Sequence, residues 1–252
     1  MQKKFLTVLL FGLILSACGG SASEPQVITA SGDITSAVEQ YRALLGENNG
    51  GDPGTKGTTG YREINWDSLP DEESAPNLYA PDFFNQPEAP RARGIVLNTS
   101  GEGLMVSASA ANSAGTLPRF GNLNSQYADI FTTFSDEKLF SPVGSNIVEA
   151  TFFVPGTNTP ATVRGFGGIY TDVDVDYYGF EFFDVAGNSL GKYQIPLADQ
   201  GLSFVGVAFD EAVIAKVRIQ FGTGVIGPED GAGGVDISAM DNFIFGEPQA
   251  IE

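Results

Sequence analysis

The chain has no histidine and one cysteine, Cys18, in 252 residues. Without histidine, Ser-His-Asp and Cys-His relays are excluded, and zinc loses its commonest ligand. A lone cysteine excludes an internal disulfide. Basic residues are scarce, 13 against 31 acidic ones, for a formal net charge of −18. Such a surface repels nucleic acid and anionic headgroups, so no nucleic-acid partner is expected, while cations and neutral ligands remain compatible with it. No run of alternating strands and helices is present, which disfavours a parallel α/β sheet. The glycine-rich stretch at 227–236 carries acids and no lysine, unlike a phosphate-cradling loop. No nucleophile stands beside a base, and the expected protein is not an enzyme.

The one sustained apolar run, residues 5–15, is too short to span a bilayer, which takes about 20 residues. It follows Lys3 and Lys4 in the layout of a secretory signal. Leu15-Ser16-Ala17-Cys18 then resembles the bacterial lipobox. The resemblance implies cleavage after residue 17 and lipidation of Cys18, with several acyl chains giving stable membrane anchoring. Gly19 follows where an aspartate would retain a lipoprotein at the inner membrane, so an exported, lipid-anchored protein is expected, at the outer membrane in a two-membrane cell.

Beyond the signal, residues 18–32 are small and polar and read as a flexible tether. Asp33 is a helix N-cap, and Ile34, Ala37, Val38, Tyr41, Leu44 and Leu45 recur at the helix period up to Gly46. This short amphipathic helix, 33–46, needs a surface for its apolar stripe, either the rest of the chain or a protein partner. Residues 47–60 are glycine-rich and nearly devoid of apolar side chains, the composition of a linker.

From Tyr61 the pattern changes to period two. Ile64 and Trp66 share a parity with Arg62, and the indole N–H needs an acceptor. Tyr79, Phe83 and Phe84 lie in an irregular proline-rich stretch that can cover a sheet edge. Short strands follow over 93–106 and 131–140. Val148, Ala150, Phe152 and Val154 alternate with Glu149 and Thr151, and Val217, Ile219 and Phe221 with Lys216, Arg218 and Gln220. The expectation is an all-β antiparallel β-sandwich with jelly-roll-like connections over 61–246, one short N-terminal helix, and a tail at 247–252. The GFGGIYTDVD strand, the FEFFDVAGNSLG hairpin and the closing AMDNFIFGEP resemble jelly-roll modules of bacterial secreted and anchored proteins, including carbohydrate-binding modules.

Three groups are candidates for chemistry. Asp241 has even spacing with Ile237, Ala239, Phe243 and Phe245, so it is expected to point inward. There it needs backbone donors, an arginine such as Arg164, or a cation. Asp172, Asp174 and Asp176 are expected on one strand face, either solvated or bridged by a cation. The all-oxygen donor set would select calcium, and the resemblance to carbohydrate-binding modules points the same way. Tyr177 and Tyr178, with Tyr170 and Tyr193, could stack on sugar rings if they face outward. The reading is a membrane-anchored binding module with a polysaccharide ligand; the alternative is a structural or protein-interaction component of the envelope.

Overall fold

The computed structural model describes residues 24–228 and 234–251. The expected signal segment and Cys18 lie outside the described residues. In chain order the elements are β1 (Gln26–Ser31), α1 (Thr35–Leu45), β2 (Tyr61–Ile64), β3 (Ile95–Asn98), β4 (Gly103–Val106), α2 (Tyr127–Ile130), β5 (Phe140–Val143), β6 (Ile147–Phe153) and β7 (Pro160–Thr162). The second half adds β8 (Gly165–Val173), β9 (Tyr178–Phe183), β10 (Ser189–Gln194), β11 (Ala198–Ala208), β12 (Lys216–Gln220), β13 (Ala239–Gly246) and β14 (Gln249–Ala250).

Two antiparallel sheets pack face to face. The first runs β1-β11-β8-β13-β5-β4, with β2 also on β13; the second runs β10-β9-β12-β6-β7-β14, with β3 also on β6. The chain passes repeatedly from one sheet to the other, as from β8 to β9 and from β11 to β12 to β13, the jelly-roll-like connection that was expected. The shared core holds Trp66, Phe140, Phe152, Phe166, Phe180, Phe182 and Phe243 among others. Trp66 stacks on Phe140 at 4.4 Å between ring centroids, and its Nε1–H donates to the Asp241 carbonyl at 2.7 Å.

The sheets differ on their outer faces, and sequence periodicity explains one of them only. In the second sheet β6 alternates between buried and half-buried positions, because its outer face meets water. In the first sheet every residue of β8 is buried. One part of its outer face lies under α1, whose Val38, Tyr41 and Leu45 pack with Ile169, Phe204 and Ile244. Another part lies under the excursion between β4 and β5, through Phe120, Tyr127, Phe131 and Leu139. The helix thus docks on its own sandwich. Asp33 accepts the Thr35 N–H at its start, and the Tyr41 hydroxyl donates to the Val207 carbonyl at 2.9 Å. A Cβ on Gly206 would lie 2.6 Å from the Tyr41 ring, so the glycines of β8 and β11 make room for that ring.

Four expected boundaries are corrected. The tether expected over 18–32 is ordered by Gln26, because β1 pairs with β11 through six consecutive residues. The linker expected at 47–60 is instead folded around a buried ion pair. Arg62 binds Glu247 bidentately, Nε to Oε2 and Nη2 to Oε1 at 2.8 Å each. Its remaining N–H groups reach the carbonyls of Asp52, Ala92 and Gly54, and Glu247 also accepts the Lys56 N–H and the Asn49 amide. Backbone carbonyls here do the packing that apolar side chains would otherwise do. The tail expected at 247–252 is likewise built in, since Glu247 belongs to this pair and β14 pairs with β7. The strand expected over 131–140 begins only at Phe140. The Phe134 and Ser135 N–H groups go to the Asp241 carboxylate, and those of residues 136–138 go to Asp67, so this backbone is held by side chains and not by a neighbouring strand.

Candidate functional site

The expected row of three aspartates on one strand face does not form. β8 ends at Val173, and Asp172 takes φ 63°, in the left-handed region. That turn sends Asp172 inward, where it is buried, while Asp174 and Asp176 remain exposed. Asp172 Oδ1 accepts the Gln200 N–H at 2.8 Å. Gln200 itself has φ 52° and sits where the β11 register slips between Ala198 and Leu202. The slip carries Asp199 toward the β8–β9 turn. The carboxylates of Asp172, Asp174 and Asp199 each offer an oxygen within 4.8 Å of the others. Beneath them the buried Asp236 accepts the Asp174 N–H at 3.3 Å. Burial and the nearby Asp199 charge push the Asp174 carboxyl above its ordinary value. These are oxygen donors only, at a spacing a hard cation can bridge, so the residues present fit calcium, with carbonyls and water completing its six to eight ligands.

Asp241 is not part of this group. It is fully buried, as its spacing requires, but its needs are met by hydrogen bonds. Its Oδ2 accepts the Phe134 N–H at 2.6 Å and the Ser135 N–H at 3.1 Å, and its Oδ1 accepts the Ser135 hydroxyl at 2.8 Å. Desolvation nevertheless outweighs these bonds and pushes its pKa up to about 6. The shared stripe with Phe243 and Phe245 is also corrected. The register slips between Met240 and Phe243, so Met240, Phe243 and Phe245 enter the inter-sheet core, while Ala239 joins the cluster on the opposite face. Arg164 does not reach Asp241; it donates to the Leu44 carbonyl at 3.3 Å.

Among the tyrosines, Tyr177 is buried at 7% exposure and its hydroxyl shares a hydrogen bond with Ser238 Oγ at 2.9 Å. It is not a surface platform. Tyr170 is buried too and donates to the Gly179 carbonyl. Tyr178 is 56% exposed. It opens β9 two residues after Asp176, whose Oδ1 accepts from Gln194. Leu197, 49% exposed, stands two residues before Asp199. Tyr178 and Leu197 thus flank, in sequence, the β8–β9 and β10–β11 connections that carry the aspartates. Asp199 carried no sequence signal, and Asp236 was marked only as the last acid of the glycine-rich stretch at 227–236.

The open face of the second sheet is a ladder of charges. Glu149 bonds Lys216 and Arg218 at 3.0 Å each, and Arg218 and Lys192 both lie near Glu181. Burial alone would raise the Glu149 carboxyl, but the two cations hold it below its ordinary value. Beside the ladder Asn98, Thr99, Ser100, Ile147, Glu149 and Arg218 line a shallow depression of about 540 Å³. Ion pairs on such a face contribute little to stability, and they neutralise the sheet locally in an acidic protein.

No protein-family model matches this sequence, and the comparison with curated proteins finds no match. Among solved structures the chain is similar to the enzymatically active domain of tailspike protein 4 of bacteriophage CBA120, at 10% identity and a TM-score of 0.25, over 73% of this chain and 22% of that one. A likeness that distant carries no argument about fold or function.

Proposed function

We propose that this protein is an exported, lipid-anchored binding module of the cell envelope, with calcium held by Asp172, Asp174 and Asp199 and a polysaccharide bound at the same site. The observation that carries the reading is the convergence of these three carboxylates at the turn that leads into β9, which opens on the exposed Tyr178. A cation at a rim can take vicinal sugar hydroxyls as ligands, and an exposed tyrosine offers a face for the ring. A protein ligand is the second reading; it is favoured by the burial of Tyr170 and Tyr177, which leaves less aromatic surface for stacking on sugars.

The anchor sets the geometry. Only seven residues, 19–25, lie between Cys18 and the first residue of β1, and the eight fully extended steps from one to the other reach about 28 Å. The sandwich therefore rides close to the membrane. Cys18→Ser is expected to move the protein out of the membrane fraction and to abolish acyl labelling; unchanged membrane association with no acyl label would end the lipid-anchor reading.

Calcium is tested separately. At a hundredfold excess over its dissociation constant a bound cation adds about 2.7 kcal/mol. For a domain of this size that corresponds to a melting temperature higher by roughly 5–10 °C. Chelation should remove this increment from the wild type and leave Asp199→Asn unmoved. A melting curve indifferent to chelator would remove calcium from the proposal. Isothermal titration with acidic and neutral polysaccharides, with and without calcium, then tests the ligand class, and binding by none of them would leave the protein reading.

A further inference from the structure

We propose that β1 is a docking edge for an extended strand of a partner protein, uncharged along its centre and basic at its ends. Among the described residues β1 is a terminal strand of the first sheet and pairs on one side only, with β11. Val27 lies opposite Val207 and Thr29 opposite Val205. Directly paired residues project to the same side of a sheet, and Val205 and Val207 belong to the core between the sheets. Val27 and Thr29 thus point toward the interior side, yet Val27 is 48% exposed and Thr29 is exposed as well. The first sheet overhangs the second by this one strand. On its other face β1 is tied down, with Ile28 and Ala30 packed against the α1 cluster, so the ledge is held in place.

The ledge is bare backbone and apolar surface of a kind that folded proteins usually guard. Lysine, proline and bulges are the common guards of an edge. One edge strand of the second sheet, β10, has them: Lys192, Gly191 at φ 126° and register slips at both ends. β1, reading QVITAS, has no charge, no proline and no slip along its pairing with β11. It offers main-chain donors and acceptors to an incoming strand, and alternate side chains of that strand would cover Val27 and Thr29, the geometry of β-augmentation. Burial, and then the charge of Glu24, raise the phenol pKa of Tyr193 on β10.

Charge selects the occupant. Glu24 and Asp33 bracket β1. A second copy pairing antiparallel across a two-fold axis would set Glu24 of one chain against Asp33 of the other, between two bodies that each carry −18. A strand with a basic residue at each end meets both acids favourably.

The test uses the soluble Cys18→Ser full-length chain and two labelled octapeptides of alternating threonine and valine, one ended by lysines and one by glutamates. Fluorescence anisotropy should show the lysine-ended peptide binding at least about tenfold more tightly. Val27→Lys, and independently Thr29→Lys, should weaken that binding by a similar factor with the melting temperature kept, whereas Ser189→Lys on β10 should not. Absence of binding by the lysine-ended peptide, equal binding of the two peptides, or indifference to both β1 variants overturns the proposal. So does self-association in light scattering that Val27→Lys abolishes, which would make the occupant a second copy.

Discussion

Glu247→Ala is expected to destabilise the sandwich by about 3–5 kcal/mol, the typical cost of stranding one member of a buried ion pair. Arg62 and Glu247 are both without exposed side-chain surface, and the guanidinium would keep its charge with its two carboxylate bonds gone. The loss should be visible in urea or guanidinium titration as a lower midpoint at unchanged slope. It also has a local signature. Lys56 donates its backbone N–H to Glu247, so trypsin should cleave after Lys56 in the variant under conditions where the wild type resists. Arg62→Met should open the same loop by removing its hub. A wild-type rate of cleavage at Lys56 in Glu247→Ala would mean that the loop is held by other contacts.

Asp241 is expected to make stability depend on pH in the unusual direction for a carboxylate. Its folded pKa is about 6, against an ordinary 3.8, because burial disfavours the charge more than Phe134 and Ser135 support it. The folded state therefore holds a proton that the unfolded chain gives up between those values. The associated stability is fully present below pH 3.8 and is lost as the pH rises through about 6, to an extent of about 3 kcal/mol. Asp241→Asn can keep all three contacts, with its oxygen on the two N–H groups and its amide donating to Ser135 Oγ. It should flatten the pH profile between 4 and 7 and be no less stable than wild type at neutral pH. Asp241→Ala leaves two part-buried N–H donors without their acceptor and should cost up to about 1–3 kcal/mol per unsatisfied group. Denaturant midpoints measured across this pH range check both, and a variant Asp241→Asn that retains the wild-type slope would place the titration elsewhere.

Much of this arrangement was legible in the residues. The period of two in β6 and β12 was readable because the second sheet has one wet face. The helix stripe from Ile34 to Leu45 was readable because α1 also has one wet face. The inward Asp241 followed from parity with apolar neighbours, although the slip after Met240 means that it shares its face with different residues than its spacing implied. Arg62 carried a usable signal, an arginine at the parity of Ile64 and Trp66, but its partner Glu247 lies 185 residues away and nothing local marks it.

The sequence by itself determined an acidic, histidine-free, all-β sandwich with one amphipathic helix, since composition and periodicity are local properties that follow from which side chains tolerate water. The tertiary structure alone decided which acids meet. Asp172, Asp174 and Asp199 converge because Asp172 and Gln200 take left-handed backbone conformations and β11 slips its register, and the stretch at 47–60 is ordered because a distant ion pair collects its carbonyls. Each of these depends on contacts between residues far apart in the chain, for which spacing along the sequence holds no information.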